Sequence, residues 1–391
     1  MEEIYITHAK RTAVGGFLGG LSSVSAPMLG AAVIKALLQE SNIPADAFDE
    51  VILGQVLTGG SGQNPARQST IHAGLPISVS AMTINKVCGS GLKAVALAAN
   101  AIRAGEADLI IAGGQENMSL GMHGAFLRGG AKFGDMKLTD FMMYDGLTDA
   151  FSGKMMGITA ENIATKFDIS RDVQDKLALA SHLKAAKAQD AGKFKDEIVP
   201  IEVYKKREKI IIDQDEGIRP DSTIEGLAKL RTVFKDDGSV TAGNSSTIND
   251  GGACLIVASA AALKKYNLQP IARIASYAKC GVDPEIMGTG PVSASQKALA
   301  KAGWGVADLD IIEANEAFAV QAEYVNRQMG WDLDKVNING GAIALGHPIG
   351  ASGARVLVTL IHEMKRSKLK KGLATLCIGG GMGIAMCVEG V

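Results

Sequence analysis

Apolar residues recur at helical spacing through LGAAVIKALLQESNI (29–43) and then run without interruption through most of DEVILGQV (49–56). That change of period predicts an amphipathic helix followed by a buried strand. Downstream, CGSGLKAVALAANAIRAGEADLIIAGG (88–114) reads as a glycine turn, a small-residue helix, a strand and paired glycines. The same order then returns. SQKALAKAGW (295–304) leads to LDIIEANEAF (309–318), and IGASGARVLVTLIHEMKRSKLKKGLATLCIGGG (349–381) again gives glycine turn, helix, strand and a glycine run. Asp49 to Gly91 is 42 positions and Asp310 to Gly353 is 43, an agreement that two unrelated segments would not keep. The chain therefore reads as two similar α/β halves, helices alternating with apolar strands in a mixed or parallel sheet.

Composition narrows the class without changing this outline. A length of 391 residues allows two or three domains. Residues 119–240 carry 39 charged side chains, roughly twice the density of the remainder, and read as an insertion over the repeated core. Inside it, SRDVQDKLALASHLKAAKAQ (170–189) has a helical amphipathic pattern, and the basic run YKKREK (204–209) lies between strand-like segments as a solvated hairpin. The formal net charge of −1 removes the footprint of a nucleic-acid binder. Apolar runs such as ACLIVASAAAL (253–263) are too short for a membrane span and suit buried elements. The opening MEEIYITHAK lacks the features of a signal peptide, and the odd set Cys88, Cys254, Cys280, Cys377 and Cys387 lacks metal-ligand spacing. No metal, no membrane and a reducing, cytoplasmic setting are the expectations.

Chemistry is sought where the two halves differ. Cys88 follows strand-like AMTINKV and precedes GSG and a helix, so helix N–H groups and the dipole should favour its thiolate. A small buried residue in a tight turn remains the competing reading. His347, in GHPIGASG, offers a neutral-pH base before the matching helix. Cys377 ends a strand in LCIGGGMG, where glycines let a ligand approach backbone N–H groups. Asn315, in ANEAF, either caps the next helix or holds water.

Five segments, NKVCGSGLKAV, TAGNSSTINDGGA, NEAF, NGGAIALGHPIGASGAR and CIGGGMGIAMCVE, together resemble the thiolase family over the whole chain. GGAKFGDMKLTDFMMYDGLTDAFSG further resembles the biosynthetic branch, the acetyl-CoA acetyltransferases. The resemblance implies the thiolase fold: two βαβαβαββ halves in an αβαβα five-layer core, with an inserted loop domain. Its implied division is 1–118 with 249–270 for the N-terminal half, 119–248 for a CoA-binding loop domain, and 271–391 for the C-terminal half. It also implies reversible Claisen condensation of two acetyl-CoA to acetoacetyl-CoA plus CoA. Cys88 would be the nucleophile, His347 would take its proton, and Cys377 would remove the α-proton of the second acetyl-CoA. The N–H groups of Cys88 and Gly379 would form one oxyanion hole, and His347 with a water held by Asn315 the other.

By the same resemblance, Ser246 would contact pantetheine and Arg219 the adenine side, while Leu147, Met156, Phe234 and Ala242, with Met287, Ala317 and Phe318, match the apolar lining. Coenzyme A thioesters enter as substrates and no tightly bound cofactor is implied. Segment 121–138 resembles a tetramerisation loop, so a homotetramer is implied. One departure stands out: Met155 occupies a position where biosynthetic members usually carry histidine, which opens the question of chain length. The rival readings are a degradative 3-ketoacyl-CoA thiolase and a non-catalytic acyl-CoA-binding relative, the latter expected to have lost a reactive group. A ketoacyl synthase fits less well, because Cys377 stands in place of a second histidine.

Overall fold

The computed structural model describes residues 2–130 and 132–391. Its first half runs β1 (Ile4–Thr12), α1 (Ala26–Ser41), β2 (Glu50–Gly54), α2 (Pro65–His72), β3 (Ser80–Ile84), α3 (Ser90–Arg103) and β4 (Leu109–Asn117). The insertion follows, with α4 (Met156–Lys166), α5 (Arg171–Asp190), β5 (Ile201–Lys205) and β6 (Glu208–Ile212), before β7 (Asn249–Ser259) completes the half. The second half is β8 (Ala272–Gly281), α6 (Gly290–Ala302), β9 (Ile311–Ala314), α7 (Ala319–Met329), α8 (Ser352–Ser367), β10 (Lys371–Ile378) and β11 (Met382–Gly390).

The strands hydrogen-bond in the order β9-β10-β11-β8-β1-β7-β4-β2-β3. Their apolar runs lack alternation because both faces are covered. In β4, Ile110 and Ala112 face the central layer while Leu109 and Ile111 face α1. Between the sheets, Leu92, Val95 and Ile102 of α3 meet Leu357, Leu360 and Ile361 of α8. The outer layers are α1 on one side (Val33, Ile34, Leu37) and α6 with α7 on the other (Leu299, Val325, Met329). This is the five-layer arrangement that the resemblance implies. The two sheets are joined at one edge, where β1 pairs with β8 through Tyr5–Arg273 and Ile6–Ala272.

The repeat has a physical basis at its two aspartates. Asp49 accepts the N–H groups of Asp108 and Leu109 at 2.7 and 2.9 Å, and Asp310 accepts those of Lys370 and Lys371 at 2.8 and 2.9 Å. Each carboxylate thus fastens the start of one strand to the start of the strand after the central helix. One strand is not copied. Where the first half has β3, the second has a single bridge, Ile312 to Val336. The side chain of Asn337 takes over the lost ladder: its Oδ1 accepts the Ala314 N–H at 2.9 Å, and its Nδ2 donates to the Ala314 carbonyl at 2.8 Å. Asn337 itself has φ 45°, which ends an extended chain there.

The insertion follows its patterns. α5 covers the amphipathic segment, and β5–β6 form the hairpin with Lys206 and Arg207 at its tip, both at positive φ as a two-residue turn requires. Arg11 of β1 anchors the insertion by donating to both Asp215 oxygens, at 2.6 and 2.9 Å, and to Glu197 at 2.7 Å, all buried.

Candidate active site

The glycine turns of both halves open onto one mainly apolar cavity of about 580 Å³, a size suited to an extended small-molecule ligand. Cys88, His347, Gly379, Ser246 and Arg219 line it, as do Leu147, Met156, Phe234 and Ala242 together with Met287, Ala317 and Phe318. Met155 is on the same wall. Cys377 and Asn315 are not on the wall. Cys377 is fully buried in the cluster that contains Met287, Ala317 and Phe318, close enough to Cys88 for their charges to interact. Asn315 follows β9 and is buried, and neither atom of its amide has a partner among the described residues.

The nucleophile turn is built around a strained residue. Val87 has φ 46°, which a β-branched side chain seldom adopts, and several bonds hold it there. Its N–H donates to Asn85 Oδ1 at 2.9 Å, the Lys86 N–H donates to Ser90 Oγ at 2.8 Å, and Ser90 Oγ donates to the Val87 carbonyl at 2.7 Å. A Cβ on Gly89 would press on the Ile378 side chain, so glycine lets the turn pack closely against it. The Gly379 N–H and the N–H of Cys88 itself both interact with the Cys88 sulfur.

Those donors do not make a resting thiolate. Burial outweighs them and pushes the Cys88 thiol up to about 11, the opposite of the direction expected from its place before a helix. Burial also raises the Cys377 thiol, and Cys88 raises it further. His347 is pushed down to about 3 by burial and by the Arg355 guanidinium. Its N–H donates to Asn249 Oδ1 at 2.8 Å, its Nδ1 lies 2.6 Å from Ser352 Oγ, and its Nε2 is buried without a partner among the described residues. Both shifts favour the neutral forms of half-buried Cys88 and buried His347 in the resting site. Alkylation of Cys88 by iodoacetamide should rise about tenfold per pH unit between roughly pH 7 and 10, because only the thiolate reacts. A plateau near the ordinary thiol value of about 8.5 would contradict the burial.

Three further groups shape the site, Glu116 and Glu216 outside any motif and Asn249 within TAGNSSTINDGGA without a signal of its role. Glu116 is buried and accepts the N–H groups of Val56, Leu57 and Gly350 at 2.9, 3.1 and 2.9 Å, tying the turn after β2 to the GHPIG turn. Desolvation pushes its carboxyl up to about 7. Asn249 joins the His347 backbone to Gly15, donating to its carbonyl at 3.0 Å. Glu216, on the cavity wall, accepts the N–H of Gly16 at 2.7 Å. Arg219 also borders a second cavity of about 230 Å³ that shares Gly217, Ala242 and Thr247 with the first. There its N–H donates to Nδ1 of His182 at 3.3 Å, so that histidine is a packing residue of α5.

Comparison with known proteins places these features in a family. The family model "Thiolase, N-terminal domain" matches residues 4–261 and "Thiolase, C-terminal domain" matches 268–390. Proteins named acetyl-CoA acetyltransferase are 59% identical in Chromobacterium violaceum and 60% in Pseudomonas aeruginosa, each over 99% of both sequences. The crystal structure of the Bacillus anthracis acetyl-CoA acetyltransferase superposes with a TM-score of 0.98 at 42% identity, covering 100% of this chain and 99% of that one.

Proposed function

Since the chain belongs to the thiolase family, we propose that it is an acetyl-CoA C-acetyltransferase, interconverting two acetyl-CoA with acetoacetyl-CoA and CoA. The observation that carries this reading is the meeting of Cys88, His347 and the Gly379 N–H on one apolar cavity, with Cys377 in the layer behind. In the first step the Cys88 proton passes to His347, and the sulfur attacks the thioester carbonyl. The Cys88 and Gly379 N–H groups stabilise the charge that develops on oxygen, where each such donor is typically worth about 10²- to 10³-fold. CoA leaves as a thiolate and takes the proton of Cys377. That exchange gives the second step its base: the Cys377 thiolate removes the α-proton of a new acetyl-CoA, and the carbanion attacks the acetyl group on Cys88. His347 and a water on Asn315 stabilise the enolate, and the imidazolium returns its proton to Cys88. Neutral resting groups suit this sequence, because charge forms only after a thioester has displaced water.

The pantetheine arm would run past Ser246, whose hydroxyl donates to the Ala317 carbonyl at 2.9 Å and keeps lone pairs for a ligand. Arg219 would meet the nucleotide end. The division that goes with this reading is 1–118 with 249–270, then the CoA-binding loop domain 119–248, then 271–391. Residues 121–138, of which Ala131 lies outside the described residues, would carry the contacts of a homotetramer. No described helix is long and apolar enough to cross a membrane, which is compatible with the proposed cytoplasmic setting.

Substrate length is tested at Met155. It is an apolar, adaptable residue on the cavity wall, and Leu147, Met156 and Met287, which stand on the same wall, are the side chains expected to close it to longer chains. The expected result is a higher kcat/KM for the C4 than for the C8 3-ketoacyl-CoA, with Met155→His altering mainly KM. A deeper apolar slot would contribute roughly 0.8 kcal/mol per added methylene. A wild-type preference for C8 that Met155→His reverses would assign the protein to the degradative thiolases instead.

A further inference from the structure

His347 can act as a base only if the nitrogen facing the cavity lacks a proton, and nothing in GHPIG decides which nitrogen that is. The decision lies in the first turn of α8. Ser352 Oγ stands 2.6 Å from His347 Nδ1 and 2.8 Å from the Pro348 carbonyl oxygen. It is buried, and its hydroxyl makes no other hydrogen bond among the described residues. A hydroxyl has one proton to place between these two neighbours. If that proton pointed at Nδ1, the Ser352 and Pro348 oxygens would face each other at 2.8 Å with no hydrogen between them, a repulsive contact in a buried place. With the proton on the Pro348 side, Ser352 accepts from Nδ1–H and both contacts are attractive. The carbonyl, which also accepts the N–H groups of Ala351 and Ser352 at 3.0 and 2.9 Å, cannot donate, so only this second arrangement avoids the contact between bare oxygens.

We infer that Ser352 is a positioning residue for acyl transfer, holding the proton of His347 on Nδ1 so that the lone pair of the buried, unpartnered Nε2 is left to receive the Cys88 proton. This rests on the proposed role of His347 as base. The backbone is held as well, through the Asn249 contact to the His347 N–H, so ring and main chain are fixed from separate elements. The chain Nδ1–H to Oγ–H to carbonyl also fits the charged state. When Nε2 takes the Cys88 proton, the imidazolium keeps the same bond to Ser352, and no group has to turn. A carboxylate at this position would orient the ring equally well but would add a buried negative charge and raise the histidine. A hydroxyl leaves it neutral at rest. Arg355, one turn further along α8, acts in the same direction by opposing the positive charge. Its Nε and Nη1 have no partner among the described residues, and its nearest carboxylate, Glu313, is 3.7 Å away.

The test measures acetylation of Cys88 in a single turnover with acetyl-CoA, by intact mass, in wild type, Ser352→Ala, Ser352→Thr and His347→Asn. Ser352→Ala should slow acetylation by about 10- to 100-fold, the loss typical when the hydrogen-bond partner that orients a metal-bound histidine is removed, with half-saturation by acetyl-CoA unchanged. Ser352→Thr, which retains the hydroxyl, should recover most of the rate. Nitrogen-15 spectra of histidine-labelled protein supply a readout that mere packing would not move. The signals absent from His347→Asn should report a protonated Nδ1 and a bare Nε2 in wild type, and a tautomer mixture in Ser352→Ala. A wild-type proton on Nε2, or wild-type acetylation in Ser352→Ala, overturns the inference about Ser352 and leaves His347 as base. Undiminished acetylation in His347→Asn overturns the underlying mechanism itself.

Discussion

Cys377→Ala is expected to form the acetyl adduct on Cys88 and then stop. Only the second half-reaction needs an α-proton removed, and general-base groups are typically worth about 10²- to 10⁴-fold, so condensation should fall by that range. The adduct still forms because CoA can leave with the proton held by the His347 imidazolium. Exchange of solvent deuterium into acetyl-CoA should cease together with condensation. Cys88→Ala should lose both half-reactions, which separates the nucleophile from the base. Intact mass after brief mixing reads the first step, and acetoacetyl-CoA formation reads the second. Near-wild-type condensation in Cys377→Ala would remove this residue from the mechanism. An adduct on Cys254, Cys280 or Cys387, three buried thiols that do not line the cavity, would likewise remove Cys88.

The repeat was legible because the order of turn, helix and strand recurs along the chain with the same Asp-to-Gly spacing, although the contacts that Asp49, Asp310, Gly91 and Gly353 make are to residues far away in sequence. The missing third strand of the second half was not legible. Asn337 replaces it by side-chain bonds to Ala314, and an asparagine in NING reads equally well as an ordinary turn. The ionisation of Cys88 runs against its sequence pattern for a related reason. Helix N–H groups can be inferred from the residues after the cysteine, whereas burial depends on walls contributed by distant segments such as Leu57, Met118 and Ile349, and here burial decides the direction. Glu116 and Ser352 stayed hidden because their partners, Gly350 in one case and the His347 ring in the other, become neighbours only when turns close.

The second large effect is expected at the contact between the central helices. A Cβ on Gly91 of α3 would lie 2.5 Å from the Ala354 N and 3.1 Å from the Ala351 carbonyl oxygen, both backbone of the α8 segment. The converse holds, since a Cβ on Gly353 would strike the backbone N of Leu92. No flexible side chain stands at either contact to move aside, so Gly91→Ala must push the helices apart across the core. Overpacking of this kind typically costs about 1–3 kcal/mol, and backbone on both sides argues for the upper end. Catalysis should suffer along with stability, because Cys88 lies three positions before Gly91, His347 six before Gly353, and separating the helices separates their turns. Gly91→Ala is therefore expected to lower the thermal midpoint at fixed protein concentration and to reduce kcat more than KM. Gly305→Ala, where the new Cβ meets nothing nearer than Asp308 Oδ2 at 3.8 Å, should leave both almost unchanged. Because Gly91 and Gly353 relieve the same crossing, the double alanine variant should lose less stability than the sum of the singles: once the helices have moved apart for one methyl, the other has room. Additive losses would mean that the two glycines act at independent contacts and that the crossing is not the joint that aligns Cys88 with His347.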